Sequence, residues 1–74
     1  GIMTLYEFKI SEKLKAELIE LYNPQGSKSG YKVELVAYSG QFEVVLINET
    51  YKDLRTAESK FENIVEDAKQ LLDI

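Results

Sequence analysis

Ser11-Glu12-Lys13-Leu14-Lys15-Ala16-Glu17-Leu18-Ile19-Glu20-Leu21-Tyr22 is the stretch on which the fold turns. Leu14, Leu18, Leu21 and Tyr22 fall on one side at helical spacing. Ser11 stands where it can cap such a helix, and Asn23-Pro24 where it can stop it, because the residue before a proline disfavours the α region. The pattern predicts a helix over about residues 12–22.

Upstream, Tyr6, Phe8 and Ile10 alternate with Glu7 and Lys9, which predicts a strand over about residues 4–10. Thr4 and Glu7 also have capping-box spacing, so the alternative is a helix that begins there. Downstream, Asn23-Pro24-Gln25-Gly26-Ser27-Lys28-Ser29-Gly30 has the composition of a flexible loop.

Two runs rich in β-branched and aromatic residues follow, Tyr31 to Tyr38 and Gln41 to Asn48. Reading Ser39-Gly40 as a two-residue turn sets Tyr38 opposite Gln41, Leu35 opposite Val44 and Val33 opposite Leu46. One face then carries Tyr31, Val33, Leu35, Ala37, Phe42, Val44 and Leu46 and is expected to meet the core. The other carries Lys32, Glu34, Val36, Tyr38, Gln41, Glu43, Val45 and Ile47.

The last element is the plainest. Leu54, Ala57, Phe61, Ile64, Val65, Ala68, Leu71 and Leu72 make an apolar stripe at helical period, and Asp53 is placed to cap it. A helix over about residues 54–72 follows. The expected order is β-α-β-β-α in one α+β domain over residues 1–74, a three-stranded sheet with both helices on one face. The alternative is α-β-β-α on a two-stranded hairpin.

The 74-residue length allows one small domain. Gly1 and Ile2 precede Met3, which reads as the natural start after a short cloning remnant. No stretch approaches the roughly 18 apolar residues of a membrane span, and no secretory leader is recognisable, so the expected location is the cytoplasm.

With no histidine and no cysteine, the chain lacks the commonest acid–base and nucleophilic groups and the usual zinc ligands. No phosphate-binding loop spacing and no calcium-loop pattern occurs. The expectation is a non-enzymatic protein that needs no cofactor or metal.

Net charge is −4, and residues 49–74 concentrate it, with seven acids against four bases. Phosphate backbones are bound mainly by lysine and arginine, so this balance disfavours nucleic acid as the partner. Tyr31 and Tyr38 fall on opposite sides of the expected hairpin and cannot form a shared stacking platform.

Two surfaces remain as candidate partner sites. Glu58, Glu62 and Glu66 recur every four residues on the last helix, with Asp73 near the same line. That column suits a protein partner with a basic surface. Val36, Tyr38, Val45 and Ile47 are expected on an uncovered sheet face, which suits a homodimer or another protein. The expected function is a protein-interaction domain, in character an acidic regulatory or inhibitory factor of the kind bacterial and phage genes encode. The alternatives are a structural homo-oligomer and a weak nucleic-acid-binding module.

Overall fold

In the computed structural model, which describes residues 1–73, four strands precede one helix. They are β1 (Ile2–Ser11), β2 (Leu14–Tyr22), β3 (Lys28–Ser39) and β4 (Phe42–Tyr51), followed by α1 (Leu54–Leu72). The strands form one antiparallel sheet in the order β1-β2-β3-β4, so every strand pairs with its sequence neighbour and β1 and β4 are the two edges. The helix packs across one face.

This overturns the β-α-β-β-α expectation and its α-β-β-α alternative. Residues 14–22 are a strand, not a helix. The physical reason lies in what the segment can bury. As a strand it sends Leu14, Ala16 and Leu18 toward α1, and Ala16 and Leu18 are wholly inaccessible to solvent. A helix would place only part of that surface inward and would leave β1 and β3 without a partner strand between them. The supposed loop of residues 23–30 also shortens, because Lys28, Ser29 and Gly30 belong to β3. The remaining turn is closed by Asn23, whose side-chain oxygen accepts from the amides of Gln25 and Ser27 at 3.0 Å each.

The β3–β4 turn is shifted by one residue from the expected register. Its two residues are Gly40 and Gln41, and Ser39 pairs with Phe42. Gly40 has φ 62°, while among the described residues no non-glycine has positive φ, so Gln41 does not, as a type II′ turn requires. Leu46 is then an extra residue in β4, because Val36 pairs with Val45 and Leu35 with Ile47. Before this bulge Phe42 and Val44 share the helix side of the sheet. After it Ile47, Glu49 and Tyr51 do. Ile47 therefore packs against the core rather than on the open face.

The core is one layer thick. Ala16, Leu18, Val33 and Leu35 on the two central strands meet Ala57, Ile64 and Val65 on the helix. Leu5, Ile10, Leu14, Tyr31, Tyr51 and Phe61 border it. The helix matches the sequence reading in extent and cap: the Asp53 carboxylate accepts from the Thr56 amide at 2.9 Å and its hydroxyl at 3.0 Å. Those bonds hold the Asp53 carboxyl below its usual pKa.

Gly30 sits in β3 with φ 152°, and a Cβ there would stand 2.9 Å from the Tyr51 carbonyl oxygen. Gly30→Ala should therefore lower stability by more than about 1 kcal/mol in urea unfolding, since both the backbone and the neighbouring strand oppose it. An unchanged midpoint would show that β4 yields freely at this end.

Candidate functional site

Each surface of the sheet has a distinct character, and the sequence sets it. On the open face, register brings Glu7, Glu17 and Glu34 into one row across β1, β2 and β3. Like charges directly opposite one another oppose sheet formation. Lysines from the adjoining rows offset this: Lys15 Nζ lies 3.6 Å from Glu7 and 3.4 Å from Glu17, and Lys32 Nζ lies 3.7 Å from Glu34. Lys15 also sits 5.3 Å over the Tyr38 ring. Its pKa is raised, first by the contact with the Tyr38 hydroxyl and then by Glu17 and Glu7.

This ionic lattice changes the reading of the open face. Val36 pairs with Lys15 across β2 and is only 4% exposed, and Ile19 on the same face is 3% exposed. The aliphatic stems of the surrounding lysines and glutamates close over them. Tyr38 is half-buried beside Lys15, and with Glu7, Lys9, Ser11 and Glu12 it borders a shallow hollow of about 300 Å³. Of the four residues expected to form an apolar patch, Val36 is buried, Tyr38 and Ile47 are half-buried, and Val45 is 50% exposed.

The acidic column lies on the flank of α1 that faces β1. Phe61 stacks at a tilt on Tyr6 with ring centres 6.2 Å apart, and Glu58 and Glu62 line the adjoining groove of about 240 Å³. Lys69 sits 4.7 Å over the Phe8 ring and 3.6 Å from Glu66, so the column is partly neutralised at its lower end. Asp73 ends the helix, its amide donating to the Lys69 carbonyl at 3.1 Å. The structure thus places Val36, Tyr38 and Val45 on the open face, Ile47 against the core on the helix side, and the acidic column on α1.

The most exposed apolar surface lies elsewhere, along β4. Eight of its ten residues are exposed. Phe42 is 75% open to solvent and Val44, Val45 and Leu46 are about half open. The helix adds to this edge. Lys60 pairs with Glu49 at 3.7 Å, so that flank of α1 faces β4. Leu71 is 72% exposed and Leu72 52%.

Sequence reasoning assigned Phe42, Val44 and Leu46 to the core; Phe42 and Val44 do lie on the helix side, but α1 leaves this edge strand open, and Leu46 departs from strict alternation at the bulge. The available signal was the run Val44-Val45-Leu46-Ile47, four apolar residues with no polar interruption. A half-covered antiparallel strand does not sustain such a run without a bulge or a second covered face.

The chain was compared with family models, curated proteins and solved structures, and none matches it. Among the described residues no group of three or more acidic side chains could hold a metal ion, and no helix is long and apolar enough to cross a membrane.

One buried polar cluster secures the far end of the sheet. Glu20 is buried on the helix side of β2. It accepts from the Tyr22 hydroxyl and lies 3.2 Å from Lys28 Nζ. The Tyr22 bond is the main cause of its depressed pKa, and Lys28 adds to it. A carboxyl whose folded pKa lies below its unfolded value, about 4.3 for glutamate, contributes stability above that value and loses it as pH falls through the folded pKa. Glu20→Gln should therefore be less stable than the parent at neutral pH and lose less of its melting temperature on acidification. Parallel melting curves for the two proteins from about pH 7 to pH 2 would remove Glu20 from the acid response.

Proposed function

We propose that this chain is a non-enzymatic protein-interaction domain that binds through the β4 edge. The observation that carries this reading is the exposed apolar edge itself: Phe42, Val44, Val45 and Leu46 stand between about half and three-quarters open on a strand with a free side. An uncovered edge strand offers unpaired amides and carbonyls, and apolar side chains on such an edge are a template for another polypeptide. Monomeric proteins rarely leave a patch of this kind without a use.

The other edge supports the choice by contrast. β1 carries bulges near Leu5 and Ile10, and its charged residues Glu7 and Lys9 are engaged by Lys15 and Glu12. Bulges and charges are the devices by which sheets blunt an edge. β4 has one bulge against two on β1, and its two charges, Glu43 and Glu49, flank an unbroken apolar run from Val44 to Ile47 that β1 lacks.

The acidic flank of Glu58, Glu62, Glu66 and Asp73 has a supporting role. With the net charge of −4 it favours approach to basic protein surfaces and disfavours nucleic acid. It fits an acidic regulatory or inhibitory factor acting in the cytoplasm.

Photo-crosslinking tests the reading directly. A benzophenone side chain placed at Phe42 or Leu46 should give a covalent adduct with a polypeptide inside the producing cell, and the same group at Lys9 should give none. No adduct from either β4 position, with expression intact, removes β4 as a docking edge.

A further inference from the structure

We infer that the occupant of the β4 edge is a second copy of this chain, related by a two-fold axis that passes between Leu46 and Ile47. The inference rests on the interaction reading above and names its partner. Three observations carry it.

The first is register. In antiparallel pairing, residues directly opposite each other point to the same face of the sheet. Centring β4 on its own copy sets Phe42 opposite the second copy's Tyr51, Glu43 opposite Thr50, Val44 opposite Glu49 and Val45 opposite Asn48. Phe42, Val44, Glu49 and Tyr51 all lie on the helix side, and Glu43, Val45, Asn48 and Thr50 all lie on the open side. In a regular ten-residue strand this centred register would oppose residues from different faces. The extra residue Leu46 removes that conflict, because it reverses the alternation at the middle of the strand. The bulge therefore puts the four outer pairs of β4 on matching faces.

The second is charge. In this register neither Glu43 nor Glu49 meets another acid. Glu43 faces Thr50, with the second copy's Lys52 diagonal to it and within reach of a long side chain. The centre, from Val44 to Asn48, is uncharged. Two acidic subunits can thus approach along their least charged line.

The third is area. Phe42 and Val44 on the helix side, Val45 on the open side and Leu46 at the bulge expose on the order of 400 Å² per subunit along the two sides of this edge, within the range of the largest apolar patch on a typical monomer. Two such edges and the strand backbones between them approach the lower bound of about 1,200 Å² for a specific interface. The expected product is a weak, reversible dimer with one continuous eight-stranded sheet.

Light scattering after size exclusion should show a dimer that dissociates on dilution. Added salt should tighten it, since it screens repulsion between like-charged subunits and the contact itself is apolar. Leu46→Lys, at an exposed position, should remain folded by circular dichroism and shift the monomer–dimer midpoint upward by tenfold or more. The chain has no cysteine, so Leu46→Cys supplies a single thiol next to the axis, within the 4.4–6.8 Å Cα separation that a disulfide spans. Mild oxidation should link it as a dimer, whereas Lys9→Cys on β1 should stay monomeric. A parent protein that remains monomeric to about millimolar concentration overturns the second copy, as does an unchanged dimer in folded Leu46→Lys. Cellular crosslinking separates the two readings. An adduct of twice the chain mass supports self-pairing, an adduct with another protein overturns it while the interaction reading stands, and no adduct ends both.

Discussion

Everything in this structure depends on one apolar contact, the seating of α1 on the two central strands. Ala57, Ile64 and Val65 meet Ala16, Leu18, Val33 and Leu35, and no second layer lies beneath the sheet. The small side chains Ala16 and Ala57 are both wholly buried, which allows helix and sheet to approach closely. With no disulfide available, the burial of this single layer must offset most of the conformational entropy lost on folding.

That constraint explains how the surfaces divide. One helix cannot cover four strands. It lies over β2 and β3 and reaches the edges only with its flanks, through Phe61 and Lys69 toward β1 and Lys60 toward β4. The open face is finished with crossed ion pairs instead of a helix. The two edges differ in degree: β1 has two bulges and its Glu7 and Lys9 are ion-paired, whereas β4 has one bulge and an unbroken apolar run from Val44 to Ile47, and each edge leaves several apolar side chains open.

The helix was legible in the sequence because its signals agree. Stripe, cap and uninterrupted length all point to residues 54–72, and the structure has the helix at Leu54–Leu72. β2 was not legible because its signals conflict. Leu14, Leu18, Leu21 and Tyr22 fit a helical face, while the alternation expected of a strand is broken by Glu20 at a core-facing position. Glu20 is tolerable there because the Tyr22 hydroxyl, two residues on, and Lys28 from β3 reach its carboxylate, an arrangement that alternation alone does not report. The hairpin was found but set one residue early, since Ser39-Gly40 and Gly40-Gln41 both hold a glycine and only the actual backbone says which position needs positive φ. The acidic flank was visible from spacing alone. The β4 edge was hidden because the pattern gives the face of Phe42 and Val44 but not that one helix leaves this edge uncovered, and because the bulge at Leu46 breaks strict alternation.

The order of the strands also bears on how the chain reaches this state. Each strand pairs with its immediate neighbour, and two of the three turns contain only two residues. The loops closed by the sheet are short, so little entropy is lost before pairing is rewarded, as in fast-folding topologies of low contact order. Only α1 must return over residues far behind it, since Ala57 joins the same cluster as Ala16. The sheet can therefore zip from its hairpins, but its apolar side stays open until the chain through Ala68 is available. During synthesis on a ribosome the strands would emerge before the element that shields them, and the interval before α1 docks is when the nascent chain is most exposed to misassociation.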